Sequence, residues 1–303
     1  MATKSPNSGT IPRLMAQIRA IRKRMTAVGT IARITKTMQM IATAKFTAAL
    51  TRAKDSRPYT DAIRNLVGEV SGAAGDYDSP LFNAPKSTNK ELLLVITSDR
   101  GLCGAYNGNV LRKALMHTRA AKTSSSEVTL ETAGKKATTF FKFQKLEARH
   151  QLTFGDKPSY EDVARVANRY MDEFASGDWD KVSVAYMRFE SNARQIPEVI
   201  QILPLSSDPT DTEEDTSSAN YEFSPSAGEI LDDLIPRSVI TTLFQMFNDA
   251  VVSENIMRMI AMKAATENAN ELGKDLKRDY NRARQAQITT ELTEIISGAA
   301  ALE

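Results

Sequence analysis

Both ends of this chain carry helical repeats that cannot bury their apolar stripes alone, which constrains the fold more than any other feature. Apolar residues fall at Ile11, Leu14, Ile18, Ile21, Met25 and Val28, alternating three- and four-residue steps. That is a heptad seam, which buries against another helix. Ile31, Ile34, Met38 and Ile41 follow, and the two consecutive three-residue steps before Ile34 read as a stammer. Pro12 suits a first helical turn, and Pro58 is expected to stop the helix after about 46 residues, roughly 70 Å. A second repeat starts near Gly228, and no proline follows Pro236. Its seam reads Leu243, Phe247, Ala250, Met257, Ala261, Ala264, Leu272, Leu276, Tyr280 and Ala283, then shifts to Ile288, Leu292 and Ile295. A helix of about 65 residues exceeds globular norms and suggests a coiled coil. The economical solution packs the two repeats on each other, antiparallel.

The segment between them alternates strand and helix. Glu91–Ser98 is a buried strand, Cys103–Ala121 a helix, Glu127–Glu131 a strand and Thr132–Phe143 a short helix. Arg149–Phe154, Lys181–Glu190 and Glu198–Leu205 read as strands, the last two as a hairpin, and Tyr160–Ala175 as an amphipathic helix. Such alternation implies a mostly parallel sheet covered on both faces. The expected fold is α/β: a long antiparallel coiled coil of N- and C-terminal helices plus a Rossmann-like domain. The divisions fall at 1–60, 61–221 (with an acidic loop at 206–221) and 222–303.

Charge is uneven although the net value is only +2. Residues 1–57 hold twelve Lys or Arg and one acid, Asp55, while 206–233 hold nine acids and no base. Such polarity points to electrostatic partners. Ile11–Met25 is basic, amphipathic and acid-free, as a transit peptide would be, but its periodicity continues past Met25 and reads as a working helix. No apolar run reaches the roughly 20 residues of a membrane helix.

Catalytic signals are weak. Ser98–Gly104 joins a buried strand to a helix, where α/β proteins bind phosphates. Its spacing matches no phosphate-loop pattern, so a tight turn is the preferred reading. Cys103 is the single cysteine, without a neighbouring base; with His117 and His150 it forms no zinc signature. Glu213–Glu214 and Asp232–Asp233 sit in polar or helix-start positions, where acids solvate or favour the helix dipole. The basic helix could track phosphates, which keeps an elongated adaptor with a nucleic-acid-binding arm as the alternative. A nucleotide-binding enzyme using the middle domain is a third class.

Three segments resemble one known family. They are Ile11–Lys45, especially Ile34-Thr35-Lys36-Thr37-Met38-Gln39-Met40-Ile41-Ala42, then Ser98-Asp99-Arg100-Gly101-Leu102-Cys103-Gly104-Ala105, and Ala264–Ala269 with Asn281–Leu292 and Ile296–Ala301. In order and placement they resemble the gamma subunit of F-type ATP synthases, with an ending, Ser297–Leu302, like the mitochondrial branch. The resemblance implies a central rotor stalk that is itself non-catalytic and holds no cofactor or metal. Its partners would be the alpha and beta subunits of the head, the small delta/epsilon stalk subunits and the membrane c-ring. Nucleic acid would not be a partner. It places the chain peripherally on the matrix side of the mitochondrial inner membrane. By position in the family motifs, Arg33, Lys36 and Met38 would face a beta lever loop, and Arg284, Gln285, Thr289 and Glu291 the catch loops.

Overall fold

The computed structural model describes residues 10–73, 79–82, 89–124, 126–205 and 226–300, so the acidic stretch 206–221 lies outside it. In chain order the elements are α1 (Thr10–Ala73), β1 (Lys90–Ile96), α2 (Tyr106–Thr123), β2 (Glu127–Ala133), α3 (Lys135–Phe143), β3 (Ala148–Leu152), α4 (Tyr160–Ala175), β4 (Lys181–Phe189), β5 (Gln195–Leu203) and α5 (Ala227–Ala300). They divide into two compact units, 42–258 and 1–41 with 259–303.

The larger unit is built on a five-stranded sheet ordered β3-β2-β1-β4-β5. β1 to β4 are parallel, and β5 returns antiparallel beside β4. β1 reads Leu-Leu-Leu-Val-Ile because both faces are covered. On one face Leu93 and Val95 meet Val110 and Ala114 of α2 and Ala137 and Phe141 of α3. On the other, Leu92, Leu94 and Ile96 meet Val163, Ala167 and Tyr170 of α4 and Val239, Leu243 and Phe247 of α5. α4 has the expected bounds, and Ser159 Oγ caps it by accepting from Asp162 N at 3.1 Å.

α1 does not stop at Pro58. A proline inside a helix costs about 3 kcal/mol. Beyond it Ile63, Val67 and Val70 are buried, the last against Leu231 and Ile235 of α5. Burying three such side chains contributes about 5 kcal/mol or more, which outweighs the proline. The α5 stretch 238–256 is buried almost all round, so its sequence lacks the one-sided periodicity of a surface helix.

The smaller unit is an antiparallel helix pair. Its α1 seam is Ile18, Ile21, Met25, Val28, Ala32 and Thr35, in strict alternation of three and four. The α5 seam is Met262, Thr266, Ala269, Gly273, Leu276, Tyr280 and Ala283, equally regular. Thr266 Oγ1 donates to Thr35 Oγ1 at 2.8 Å, and a Cβ on Gly273 would lie 3.9 Å from Val28. No stammer exists: the seam passes through Ala32 and Thr35, leaving Ile31, Ile34 and Ile41 outside at 51–53% exposure. Nor does the α5 seam shift, since Leu272, Ile288, Leu292 and Ile295 are exposed. Where Ala32 and Thr35 face Thr266, Ala269 and Gly273, close helix approach selects small residues for the inner face, so in that stretch the bulkiest apolar residues mark the outer one.

Candidate functional site

The helix pair turns a second apolar stripe outward. On α1, Ile31, Ile34, half-buried Met38 and Ile41 repeat at steps of three, four and three. Arg33 and Lys36 are exposed beside them, and Lys36 Nζ donates to Gln39 Oε1 at 3.4 Å. On α5, Ile288, Leu292, Ile295 and Ile296 are exposed. Arg284, Gln285 and Thr289 are exposed on the same turns, whereas Glu291 is half-buried and accepts from Gln287 Nε2 at 2.8 Å. The seven expected contact residues therefore form two groups. Arg284 lies about 18 residues beyond Thr266, roughly 27 Å along α5 from the level of Thr35. The sequence reading missed that both groups share their faces with apolar side chains. Isolated exposed leucines mean little, but apolar stripes rimmed by charge mark protein contacts.

The sheet unit has its own site at the carboxyl ends of the parallel strands, where open α/β folds bind ligands. Here α5 fills the crevice. Arg258 pairs with Glu254 at 2.6 Å and donates to the carbonyls of Arg100 and Gly101 at 3.3 and 3.4 Å. Burial raises the Glu254 carboxyl, with Arg258 opposing it and Asp156 and Asp99 adding to the rise. The remaining cavity, between Thr97, Gly134, Asp156 and Glu254, is about 40 Å³, whereas ligand pockets run to several hundred.

The Ser98–Gly104 segment is the tight turn the sequence implied. Ser98 Oγ donates to Arg100 O at 2.6 Å, and Asn107 Nδ2 donates to the buried Cys103 Sγ at 3.1 Å. Leu102 adopts φ 63° and remains exposed. Across the crevice Gly134, at φ 100°, packs so closely that a Cβ would lie 2.1 Å from Thr97 O.

Two polar straps tie long-helix segments to this sheet. Lys45 Nζ of α1 reaches Asp156 Oδ2 at 2.5 Å, and that ammonium holds the Asp156 carboxyl below the usual range. Ser56 Oγ of α1 donates to Gln245 Oε1 at 2.8 Å, and Gln245 Nε2 donates to Asp249 Oδ1 at 3.0 Å. Asp249 also accepts from the backbone of Phe189 at the end of β4. Ring contacts reinforce them: Phe46 meets Phe189 at 6.3 Å and Phe154 meets Phe247 at 4.4 Å between centroids. Sequence patterns do not reveal these pairs, because the partners lie in distant elements.

A sheet whose ligand crevice is filled from within, and a helix pair with apolar and basic residues turned outward, define a protein that works through protein contacts. The comparisons with known proteins agree. The ATP synthase family model matches residues 17–302. The ATP synthase gamma chain of Rhodopirellula baltica is 41% identical over 295 residues, covering 95% of this chain and all of its own. That of Leptospira biflexa is 38% identical over 289 residues, with the same coverage. Among solved structures, a chain of the Euglena gracilis mitochondrial ATP synthase OSCP/F1/c-ring assembly superposes with a TM-score of 0.67 at 20% identity, covering 95% of each chain. The Tetrahymena thermophila mitochondrial central stalk/c-ring gives 0.58 at 20%, over 77% of this chain and 99% of that one. This chain belongs to the ATP synthase gamma-chain family.

Proposed function

We propose that the chain is the central-stalk rotor of an ATP synthase, coupling rotation driven by proton flow to the nucleotide sites of the head. The observation that carries this reading is full-length kinship to gamma chains, joined to apolar-and-basic faces left open on both helices of the pair. An asymmetric helix pair inside a ring of three alpha and three beta subunits touches each beta subunit differently. It therefore biases each toward a different conformation and nucleotide affinity. Arg33, Lys36 and Met38 would meet the lever loop of a beta subunit, and Arg284, Gln285, Thr289 and Glu291 the catch loops. A moving contact must not hold tightly at one angle, which suits exposed charges better than buried pairs.

The chain itself would hold no catalytic residue, and the filled crevice supports that assignment. The sheet domain would stand with the small delta/epsilon subunits on the c-ring. Among the described residues no helix is long and apolar enough to cross a membrane, so attachment would be peripheral. The mitochondrial placement drawn from Ser297–Leu302 has less support than a bacterial one. The bacterial gamma chains stand at 41% and 38% identity, the mitochondrial structures at 20%. We therefore place the complex on a bacterial energy-coupling membrane. Nothing in the fold or the relatives favours the nucleic-acid adaptor.

Native mass spectrometry of the tagged chain, with ATPase measured on the same sample, tests the proposal. One copy per three alpha and three beta subunits, with ATPase activity, is expected. Recovery of the chain alone, or with nucleic acid and no ATPase, refutes it.

A further inference from the structure

The two faces of the sheet unit differ in how their charges are placed. α4, on the face shared with α5, holds four acids and two arginines. Both arginines pair with carboxylates, Arg165 with Asp162 and Arg169 with Glu131. α2 and α3, on the opposite face, hold no acid at all. α2 carries Arg112, Lys113, Arg119 and Lys122. α3 adds Lys135, Lys136 and Lys142. All seven are exposed. Among the described residues none of their side chains makes an ion pair or a hydrogen bond. Glu127 and Glu147 flank α2 and α3 in sequence, and neither pairs with any of them. A solvated surface ordinarily mixes both signs, as α4 does, whereas a layer of one sign repels itself and attracts an opposite partner.

Two large apolar side chains stand among these cations. Met116 of α2 is 62% exposed and Phe143 of α3 is 82% exposed. The other phenylalanines of α3 turn inward: Phe141 is buried, and Phe140 packs edge-on against it at 5.4 Å. Phe143 ends the helix beside Lys142, and exposed Lys145 follows at φ 58°. Both helices run back from the carboxyl ends of the parallel strands to their amino ends. Arg119, Lys122, Lys142 and Phe143 therefore lie at the end of the layer remote from the crevice that α5 fills.

We propose that the outer surface of α2 and α3 docks on the anionic headgroups of a phospholipid bilayer. The inference rests on the rotor reading, which sets the sheet unit beside a membrane. Charge complementarity selects an anionic partner, and the kind of cation selects lipid over protein. Five of the seven are lysines, whereas protein interfaces are depleted in lysine and enriched in arginine and tyrosine. A lysine is a point charge on a flexible stem. It suits a fluid layer of phosphates, which offers no fixed acceptor positions. An acidic protein offers carboxylates in fixed places, where the planar fork of arginine gains more. The bilayer also gives Phe143 somewhere to bury its ring, at the boundary between headgroups and acyl chains.

The size of the effect follows from the charge count. Each Lys or Arg held near an anionic bilayer strengthens binding about five-fold. The attraction fades within about 8 Å at physiological ionic strength, so only cations on the docked surface contribute fully. Removing three of them therefore weakens binding by about a hundred-fold at most, and by about ten-fold where only some approach closely. Added salt weakens it as well.

Co-sedimentation of the full chain with vesicles tests this, using phosphatidylcholine alone and its equal mixture with phosphatidylglycerol. The chain should sediment with the mixed vesicles only. Arg119→Gln combined with Lys122→Gln and Lys142→Gln should weaken that binding about ten-fold or more, and Phe143→Ser alone several-fold. All four side chains are exposed, so the unfolding midpoint should not move. The basic helix α1 supplies the control, since its own cations also attract phosphate. Arg19→Gln combined with Arg22→Gln and Arg24→Gln should weaken binding less. Binding unchanged by the α2 and α3 substitutions overturns the proposal, as does a loss no larger than that from the α1 set. Failure to bind the mixed vesicles overturns it too, including the case in which poly-glutamate is bound through the same side chains, which would assign the layer to an acidic protein. This proposal and the rotor reading fail separately, because sedimentation needs no head and the copy number in the complex needs no vesicle.

Discussion

Asp249 offers the sharpest quantitative prediction. It is 5% exposed inside α5, where the helix passes between α1 and the sheet. Burial raises its carboxyl to about 6 from 3.8, against the opposing pull of Arg57, the Gln245 hydrogen bond, the Phe189 amide and Arg188. The folded state thus binds this proton more tightly than the unfolded chain. Stability is gained as pH falls through about 6 toward 4, and above 6 the ionised group carries a penalty of about 3 kcal/mol. Asp249→Asn keeps an acceptor for the Phe189 amide and removes the charge. Allowing for weaker hydrogen bonding, the variant should be more stable at pH 8 by about 1–2 kcal/mol, which is about 3–6 °C in a unit of this size. The advantage should shrink to nothing near pH 4.5. Thermal unfolding followed by circular dichroism at the two pH values reads this directly. A variant less stable than the parent by the same amount at both pH values would refute the reasoning. It would show that the carboxylate is held as a satisfied ion, not as a strained one.

Other consequences can be checked on the same chain. Gly134→Ala forces a Cβ to 2.1 Å from Thr97 O and should cost several kcal/mol, more than the roughly 1–3 kcal/mol of an unfavourable φ alone; an unchanged unfolding midpoint would contradict the geometry. Arg258→Met leaves Glu254 buried without its cation, a loss of about 3 kcal/mol. Because burial then dominates the Glu254 carboxyl, the loss should be larger at pH 8 than at pH 5, and a pH-independent loss would argue against it. Arg33→Glu with Lys36→Glu touches exposed side chains only, so the unfolding midpoint of the chain should stay within about 1 °C while proton-coupled ATP synthesis by the assembled complex falls several-fold. Equal synthesis rates would remove these residues from the lever contact.

Much of the fold could be read in the sequence, and the failures share one cause. Strand β1 and helix α4 were legible because an apolar run and a one-sided helical stripe each have a single interpretation. The seam between the long helices was read correctly at Ile18, Ile21, Met25, Val28, Leu276, Tyr280 and Ala283, and misread between them because the inner face there uses Ala32, Thr35, Ala269 and Gly273, residues that carry little hydrophobic signal. The bulkier Ile31, Ile34 and Leu272 point away from it. Pro58 misled for a related reason: a local helix breaker is overruled by burial of Ile63, Val67 and Val70, which only the folded chain reveals. The seven proposed contact residues were nameable only through family resemblance. Their chemistry is that of any solvated helix face until exposure places Ile34 and Ile288 beside them. Arg258 and Asp249 gave no signal, since a charged residue in a helix reads as solvated unless something is known to cover it.

Rotation itself is the most direct test of the central claim. A probe attached to a cysteine introduced at the exposed Lys113 of α2 would report on the sheet unit while the head of the purified complex is held on a surface. The account predicts sustained one-way rotation of the probe on adding ATP, stopping when ATP is exhausted. A complex that hydrolyses ATP at full rate while the correctly labelled chain stays fixed relative to the head would contradict it.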